Sequence, residues 1–195
     1  MNHSEPNHSV PDIDKIIHAC QKGDRQAQKQ LYEQFAPRLF ATCMRYSRNR
    51  MEAEDLLHEG FIKIFTKIDQ YKRTGPFEAW IRRLMVNTIL EAFRKKKKMN
   101  LVDEKNLPVN LAYEEDESAN EEMPDMTRVM ELINELPERY RMVFNLYVTE
   151  GYTHEQIAEE MEISVGTSKS NLSRARQWLK NRILNRVTNK YESLW

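Results

Sequence analysis

Between residues 99 and 124 the hydrophobic pattern that runs through the rest of the chain stops. The stretch "MNLVDEKNLPVNLAYEEDESANEEMP" has no helical or alternating period and is punctuated by Pro108 and Pro124. Residues 99–127 hold 9 Asp+Glu against 1 Lys+Arg. A segment so acidic and so poor in periodic apolar residues cannot bury enough surface to offset its chain entropy. It reads as a flexible linker, and it divides the 195 residues into two shorter bodies. A chain of that length spans about 28 Å on average and reaches roughly 90 Å when drawn out.

Both bodies read as helical. Only 5 Gly are present, and Leu, Ile, Met, Ala, Glu, Lys and Arg dominate, which favours helix over sheet. "IDKIIHACQKGDRQAQKQLYEQFAPRLFATCMRYSR" predicts two helices broken near Gly23 and Asp24, with Asp24 as N-cap and Pro37 as a point of kinking. Ala27, Leu31, Phe35, Leu39, Phe40 and Cys43 recur at helical spacing behind that cap. "MEAEDLLHEGFIKIFTKIDQY" predicts a third helix with Leu57, Phe61, Ile64, Phe65 and Ile68 on one stripe. After the Gly-Pro loop of "YKRTGP", a fourth helix opens at Pro76 and closes in Lys95–Lys98, cations placed at the negative end of the helix dipole. Beyond the linker, helices are predicted over 126–135, 137–147, 153–161 and 165–187. The expected fold class is therefore all-α: two small helical domains, 1–98 and 125–195, joined by the acidic linker 99–124, the second containing a helix-turn-helix.

The formal net charge is zero, but the charges are segregated. Residues 1–98 hold 19 Lys+Arg against 12 Asp+Glu, and within 165–190 there are 7 bases and no acid. Basic surfaces of this kind attract a polyanion. Cys20 and Cys43 lie in no metal-binding or redox motif and are expected as reduced, buried thiols. His58 and Glu59 lack a third ligand at usable spacing, so neither a metal nor a cofactor is expected. No Ser-His-Asp set, Gly-rich phosphate loop or partnered pair of carboxylates points to catalysis. The polar start "MNHSEPNHSVPDID" and the lack of an apolar run of about 20 residues predict a cytoplasmic protein without a membrane span.

The second body contains "YTHEQIAEEMEISVGTSKSNLSRARQWLK". Thr153 can cap a helix and Gln156 can complete a capping box. Ile157, Ala158 and Met161 would face inward, and a short turn at Glu162 and Ile163 leads to Ser164, a second cap. Val165, Leu172, Ala175, Leu179 and Ile183 form the predicted buried stripe of the next helix. That leaves Gly166, Lys169, Ser170, Ser173, Arg174 and Gln177 outward, a face without acids. A helix of this type enters the DNA major groove with its N-terminal half against base edges. Glu162 stands where such turns often hold Gly, at something like 1 kcal/mol if it turns left-handed.

Four segments, "AEDLLHEGFIKIF", "FEAWIRRLMVNT", "ELPERYRMVFNL" and "YTHEQIAEEMEISVGTSKSNLSRAR", occur in the order in which bacterial sigma factors of the extracytoplasmic-function branch carry their motifs. The chain resembles that family over roughly residues 12–98 and 126–187. The resemblance implies that the first domain binds the clamp coiled coil of core RNA polymerase and opens the promoter −10 element. The second would meet the polymerase flap and read the −35 element, the linker passing through the nucleic-acid channel. Asp55, His58, Glu59 and Ile62, opposite the buried stripe of the third helix, match the polymerase-binding surface. Trp80 and Asn87 match positions at the opened −10 strand, and Tyr71, Lys72 and Arg73 lie in the loop that forms the base pocket there. An Asn amide can both donate to and accept from a base edge. Arg82, Arg83, Arg94 and Lys95–Lys98 are candidates for backbone phosphates. Lys169, Ser170, Ser173 and Arg174 match the −35-contacting positions, and Arg176 and Lys180 suit phosphates. An anti-sigma inhibitor is a further partner that the resemblance implies. The competing reading is a self-sufficient helix-turn-helix regulator whose first domain senses or dimerises.

Overall fold

A computed structural model describes residues 13–99 and 126–192, with side chains placed for 13–98 and 129–183. The predicted linker from residue 100 onward and the first twelve residues lie outside the described residues. Every element described is helical, and the sequence signals at their ends operate as capping chemistry. Helix α1 (Ile13–Gln21) ends at Gly23, whose φ of 80° needs a residue without Cβ. Asp24 then accepts from the amides of Gln26 and Ala27 at 2.8 and 2.9 Å and starts α2 (Arg25–Tyr46). Helix α2 runs on through Pro37. Ser47 closes it by donating its hydroxyl to the Cys43 carbonyl, and Asn49 caps α3 (Arg50–Lys67) through the Glu52 amide. A 3-10 turn at Ile68–Gln70, which periodicity does not predict, leads through the loop to α4 (Phe77–Met99).

The second group comprises α5 (Met126–Glu135), α6 (Glu138–Val148), α7 (His154–Met161) and α8 (Val165–Glu192). Helix α8 is described five residues beyond its predicted end. The box at α7 forms in full: Thr153 Oγ1 accepts from the Gln156 amide, and Gln156 Oε1 accepts from the Thr153 amide. Glu162 adopts φ 53° and ψ 52°, the left-handed turn that sets α8 against α7, and Ser164 accepts from the Thr167 amide at 2.9 Å.

Helices α1–α4 pack around Ile17, Leu31, Cys43, Ala53, Ile64, Ile81, Met85 and Leu90, all fully buried. In the second group Val143, Leu146, Ile157 and Ala175 are equally inaccessible. The sequence leads one to expect a separate small core for each group. Instead one buried cluster crosses between them, adding Met142, Val143, Leu146, Ile157, Met161 and Leu172 to the core of α1–α4. The crossing runs where α5 and α6 lie on α2 and α7 lies on α4. A second, smaller cluster of Ile133, Leu136 and Ala175 holds α5 to α8, with Trp178 and Leu179 packed against it.

Candidate nucleic-acid interface

The long helix α8 presents the acid-free face that its sequence predicts. Lys169, Ser173, Arg174 and Arg176 are exposed, and Ser170 is half-buried with its hydroxyl donating to the Thr167 carbonyl at 3.0 Å. Lys169, Ser173, Arg176, Gln177 and Lys180 line a shallow groove of about 330 Å³ together with His154 from α7. On the buried side Leu172 and Ala175 take their predicted places, whereas Val165, Leu179 and Ile183 are only half-buried. Ser168 and Asn171 occupy buried positions instead. Ser168 is tolerated there because its hydroxyl hydrogen-bonds to His154 Nδ1 at 2.9 Å, tying the two helices of the motif together. His154 also stacks on Tyr147 at 4.6 Å, and the guanidinium of Arg176 lies over that ring. His154, Ser168 and Tyr147 escape a search for apolar stripes because polar contacts hold them. A hydroxyl on the inward side of α8 is the one signal available beforehand.

On the first group, the loop after the 3-10 turn is closed by the Tyr71 hydroxyl donating to the Gly75 carbonyl at 2.6 Å. Tyr71 packs against Phe77 and Trp80 with ring centroids 5.1 and 5.5 Å apart, and Phe77 stacks on Trp80 at 5.6 Å. Tyr71 and Trp80 are thus half-buried members of an aromatic cluster, and the loop between them exposes Lys72 and Arg73. Arg73 has φ 57° and lies 3.9 Å from the Asp14 carboxylate. Trp80, Arg83 and Asn87 follow i, i+3, i+7 and share one face of α4, Arg83 exposed and Asn87 half-buried. Asp55, His58, Glu59 and Ile62 are all exposed on α3, with Ile62 67% accessible. Met51, 71% accessible one turn earlier on the same stripe, extends that surface. Its apolar side chain at a helix start gives no periodic signal.

Four other bases of α4, Arg82, Arg94, Lys96 and Lys97, turn toward the second group. Arg82 donates to both carboxylate oxygens of Glu150, at 2.8 and 3.1 Å, and Arg45 reaches the same carboxylate at 3.7 Å. The Glu150 side chain is 6% exposed, and its hydrogen bond holds Arg82 above the usual guanidinium range. Arg94 meets the carbonyl and carboxylate of Glu160, each at 3.1 Å. Lys96 and Arg48 bracket Glu138 at 2.9 and 3.0 Å, and Lys97 reaches the Glu162 carbonyl. Burial works against ionising Glu52 at the same seam, but the Arg48 amide and Lys96 outweigh it and lower its pKa. Burial alone dominates at Arg141, whose pKa falls, and at Tyr46, whose phenol is pushed up with Glu150 adding to the effect. Residues 128–164 carry 8 Asp+Glu against 3 Lys+Arg, and three of those acids, Glu138, Glu150 and Glu160, meet bases of the first group.

Among the described residues, no helix is long and apolar enough to cross a membrane. Residues 31–99 match the family Sigma-70 region 2, and residues 126–179 match Sigma-70, region 4. The chain is 26% identical to the ECF RNA polymerase sigma factor SigW of Bacillus subtilis, over 88% of this chain and 96% of that protein. It is 28% identical to the ECF RNA polymerase sigma-E factor of Haemophilus influenzae, over 86% of this chain and 93% of that protein. A solved structure of the sigma factor RpoE with the anti-sigma factor NepR from Bartonella quintana aligns at a TM-score of 0.47 and 24% identity, over 78% of this chain and 94% of that one. Two sigma-70 regions in order, a capped helix-turn-helix with an acid-free outer face, and full-length relatives of one kind place this chain in the sigma-70 family, in its extracytoplasmic-function branch.

Proposed function

We propose that this protein is the promoter-specificity subunit of a bacterial RNA polymerase, acting in the cytoplasm and without catalysis of its own. The observation that carries the reading is the pairing, in one chain, of the acid-free groove on α8 with the exposed α3 stripe. The working division is a polymerase-binding and −10 domain at 1–98, a linker at 99–124 and a −35 domain at 125–195. Asp55, His58, Glu59 and Ile62 engage the clamp coiled coil of the core enzyme, and the second domain meets its flap. The helix-turn-helix reads −35 duplex through Lys169, Ser170, Ser173 and Arg174, with Arg176 on the phosphate backbone. Ser170 and Ser173 are short, so groove shape carries part of that specificity. The face of Trp80, Arg83 and Asn87, with Tyr71, Lys72 and Arg73 beside it, captures the −10 strand once its bases leave the stack. Core polymerase holds the two domains at promoter spacing, so the second contact forms at high effective concentration.

The test is co-elution of the purified protein with bacterial core polymerase on a sizing column, with Asp55→Arg as control. The wild type is expected in the polymerase peak and the variant outside it. If neither shifts while the protein alone binds one DNA sequence tightly, the self-sufficient regulator is the correct reading.

A further inference from the structure

A relay of side-chain contacts ties α8 to the two helices before it. Ser168, fully buried on α8, hydrogen-bonds through Oγ to Nδ1 of His154 at 2.9 Å. His154 is the first residue of α7, where the capping box of Thr153 and Gln156 fixes the backbone. Its ring stacks on Tyr147 of α6 with centroids 4.6 Å apart, and the Arg176 guanidinium lies 5.9 Å from the same Tyr147 ring. The relay leaves α8 at Ser168, passes through α7 and α6, and returns to α8 at Arg176. These two anchors stand about 12 Å apart along the helix axis. Between them lie Lys169, Ser170, Ser173 and Arg174. We propose that His154 is a positioning residue for duplex reading, which sets the placement of residues 169–174 through Ser168 at one end and, by way of Tyr147, through Arg176 at the other. The inference rests on the reading of α8 as the helix that meets −35 DNA.

The apolar contacts of α8 do not fix it by themselves. Leu172 and Ala175 resist separation from α7, but hydrophobic attraction has no direction and leaves small slides and rotations open. A hydrogen bond weakens steeply once donor and acceptor are misaligned, so it selects one placement. A hydroxyl buried at position 168 is costly unless it is bonded, and α8 therefore seats well only where His154 meets it. An apolar residue at 168 would pack without that condition. The reading side chains need such restraint because two of them are short. A serine hydroxyl sits one carbon from the backbone and cannot follow a base edge across a shift of the helix, as a lysine or arginine can. Ser170 is tied further by donating to the Thr167 carbonyl at 3.0 Å. At the far end, attraction between a guanidinium and an aromatic face couples Arg176 to the ring on which His154 stacks.

The test uses the full chain assembled on core polymerase. The probe is a duplex that the wild-type assembly selects from a pool randomised at its −35 positions, and a mixed-sequence duplex of equal length is the reference. Fluorescence anisotropy over a salt series gives the ratio of the two affinities and the salt slope of each. Wild type is compared with His154→Phe and with His154→Phe/Ser168→Val. The phenylalanine keeps a ring beside Tyr147 but strands the Ser168 hydroxyl, and the second substitution makes the pair apolar. His154→Phe is expected to lower the preference for the selected duplex about tenfold, as a lost base contact would, with the salt slope unchanged. The double variant is expected to recover the preference to within about threefold. Loss of folded protein lowers both affinities alike and does not move their ratio. An unchanged preference in His154→Phe overturns the proposal. So does a loss that the double variant keeps, or a salt slope smaller by about one, since either marks a His154 that touches DNA itself. If neither His154 variant folds, Tyr147→Ala, at a position 37% exposed, breaks the link to Arg176 and is expected to lower the preference about threefold. An unchanged preference there overturns the proposal too. A wild-type assembly that selects no duplex removes the −35 reading and this proposal with it, whereas a wild-type preference that survives His154→Phe removes only the role of His154.

Discussion

At the scale of single residues, the most informative position is one whose backbone goes against the ordinary preference of its side chain. Glu162 holds a left-handed turn that a Cβ disfavours, at φ 53°. Glu162→Gly removes that strain at some cost in chain entropy, so a net gain of about 0.5–1 kcal/mol and a melting point higher by about 2–4 °C are expected on thermal unfolding. Cys20 and Cys43 are buried, and burial pushes their thiols up to about 11 and about 12. With so little thiolate in the folded state, both should react with Ellman's reagent at pH 8 far more slowly than in denaturant. As pH rises past the unfolded thiol value near 9, only the unfolded chain loses these protons, so stability should fall from there upward. Fast labelling of the native chain would place the α1–α2 packing among its loosest parts.

At the scale of elements, helix ends and faces were legible because each rests on local chemistry. Asp24, Thr153 with Gln156, and Ser164 cap the helices that their spacing announces. The approach of α3 to α4 was not legible. It depends on Gly60, where an added Cβ would collide with Sδ and Cε of the buried Met85. Gly60→Ala should cost about 1–3 kcal/mol in urea unfolding, and adding Met85→Ala should cost less than the sum of the two, because the collision is then gone. On α8 and α4 the faces make separable predictions. Arg174→Ala is expected to weaken −35-dependent recruitment by about 1–3 kcal/mol, read from polymerase binding to promoters with and without that element. Asn87→Ala should leave closed-complex binding intact and reduce permanganate reactivity of the open strand. Unchanged reactivity would remove Asn87 from that role.

At the scale of the whole molecule, the buried cluster that crosses between the two groups makes a claim about cooperativity. Because Met142, Val143 and Leu146 belong to the same cluster as the core of α1–α4, the groups should melt together. Calorimetry at low salt is expected to give one transition. Two resolved transitions would mean that the crossing contributes little, and Glu138→Gln/Glu150→Gln/Glu160→Gln should move the wild type toward that behaviour.

Local periodicity and local hydrogen bonding were enough to specify the separate elements of this protein. That covers eight helices among the described residues, the capped helix-turn-helix, the acid-free face of α8 and the exposed α3 stripe. These follow from i, i+3, i+4 spacing and from caps that reach two or three residues along the chain. Which of the bases are occupied depends instead on how the helices pack. Arg82 and Glu150 are 68 residues apart, and Arg48 and Glu138 are 90 apart, so no local pattern relates them. The charge count alone carried a trace of it, an acidic 128–164 opposite a basic α4. Attraction between two such faces has no fixed register until apolar contacts at the crossing choose one, and those contacts exist only in the folded chain.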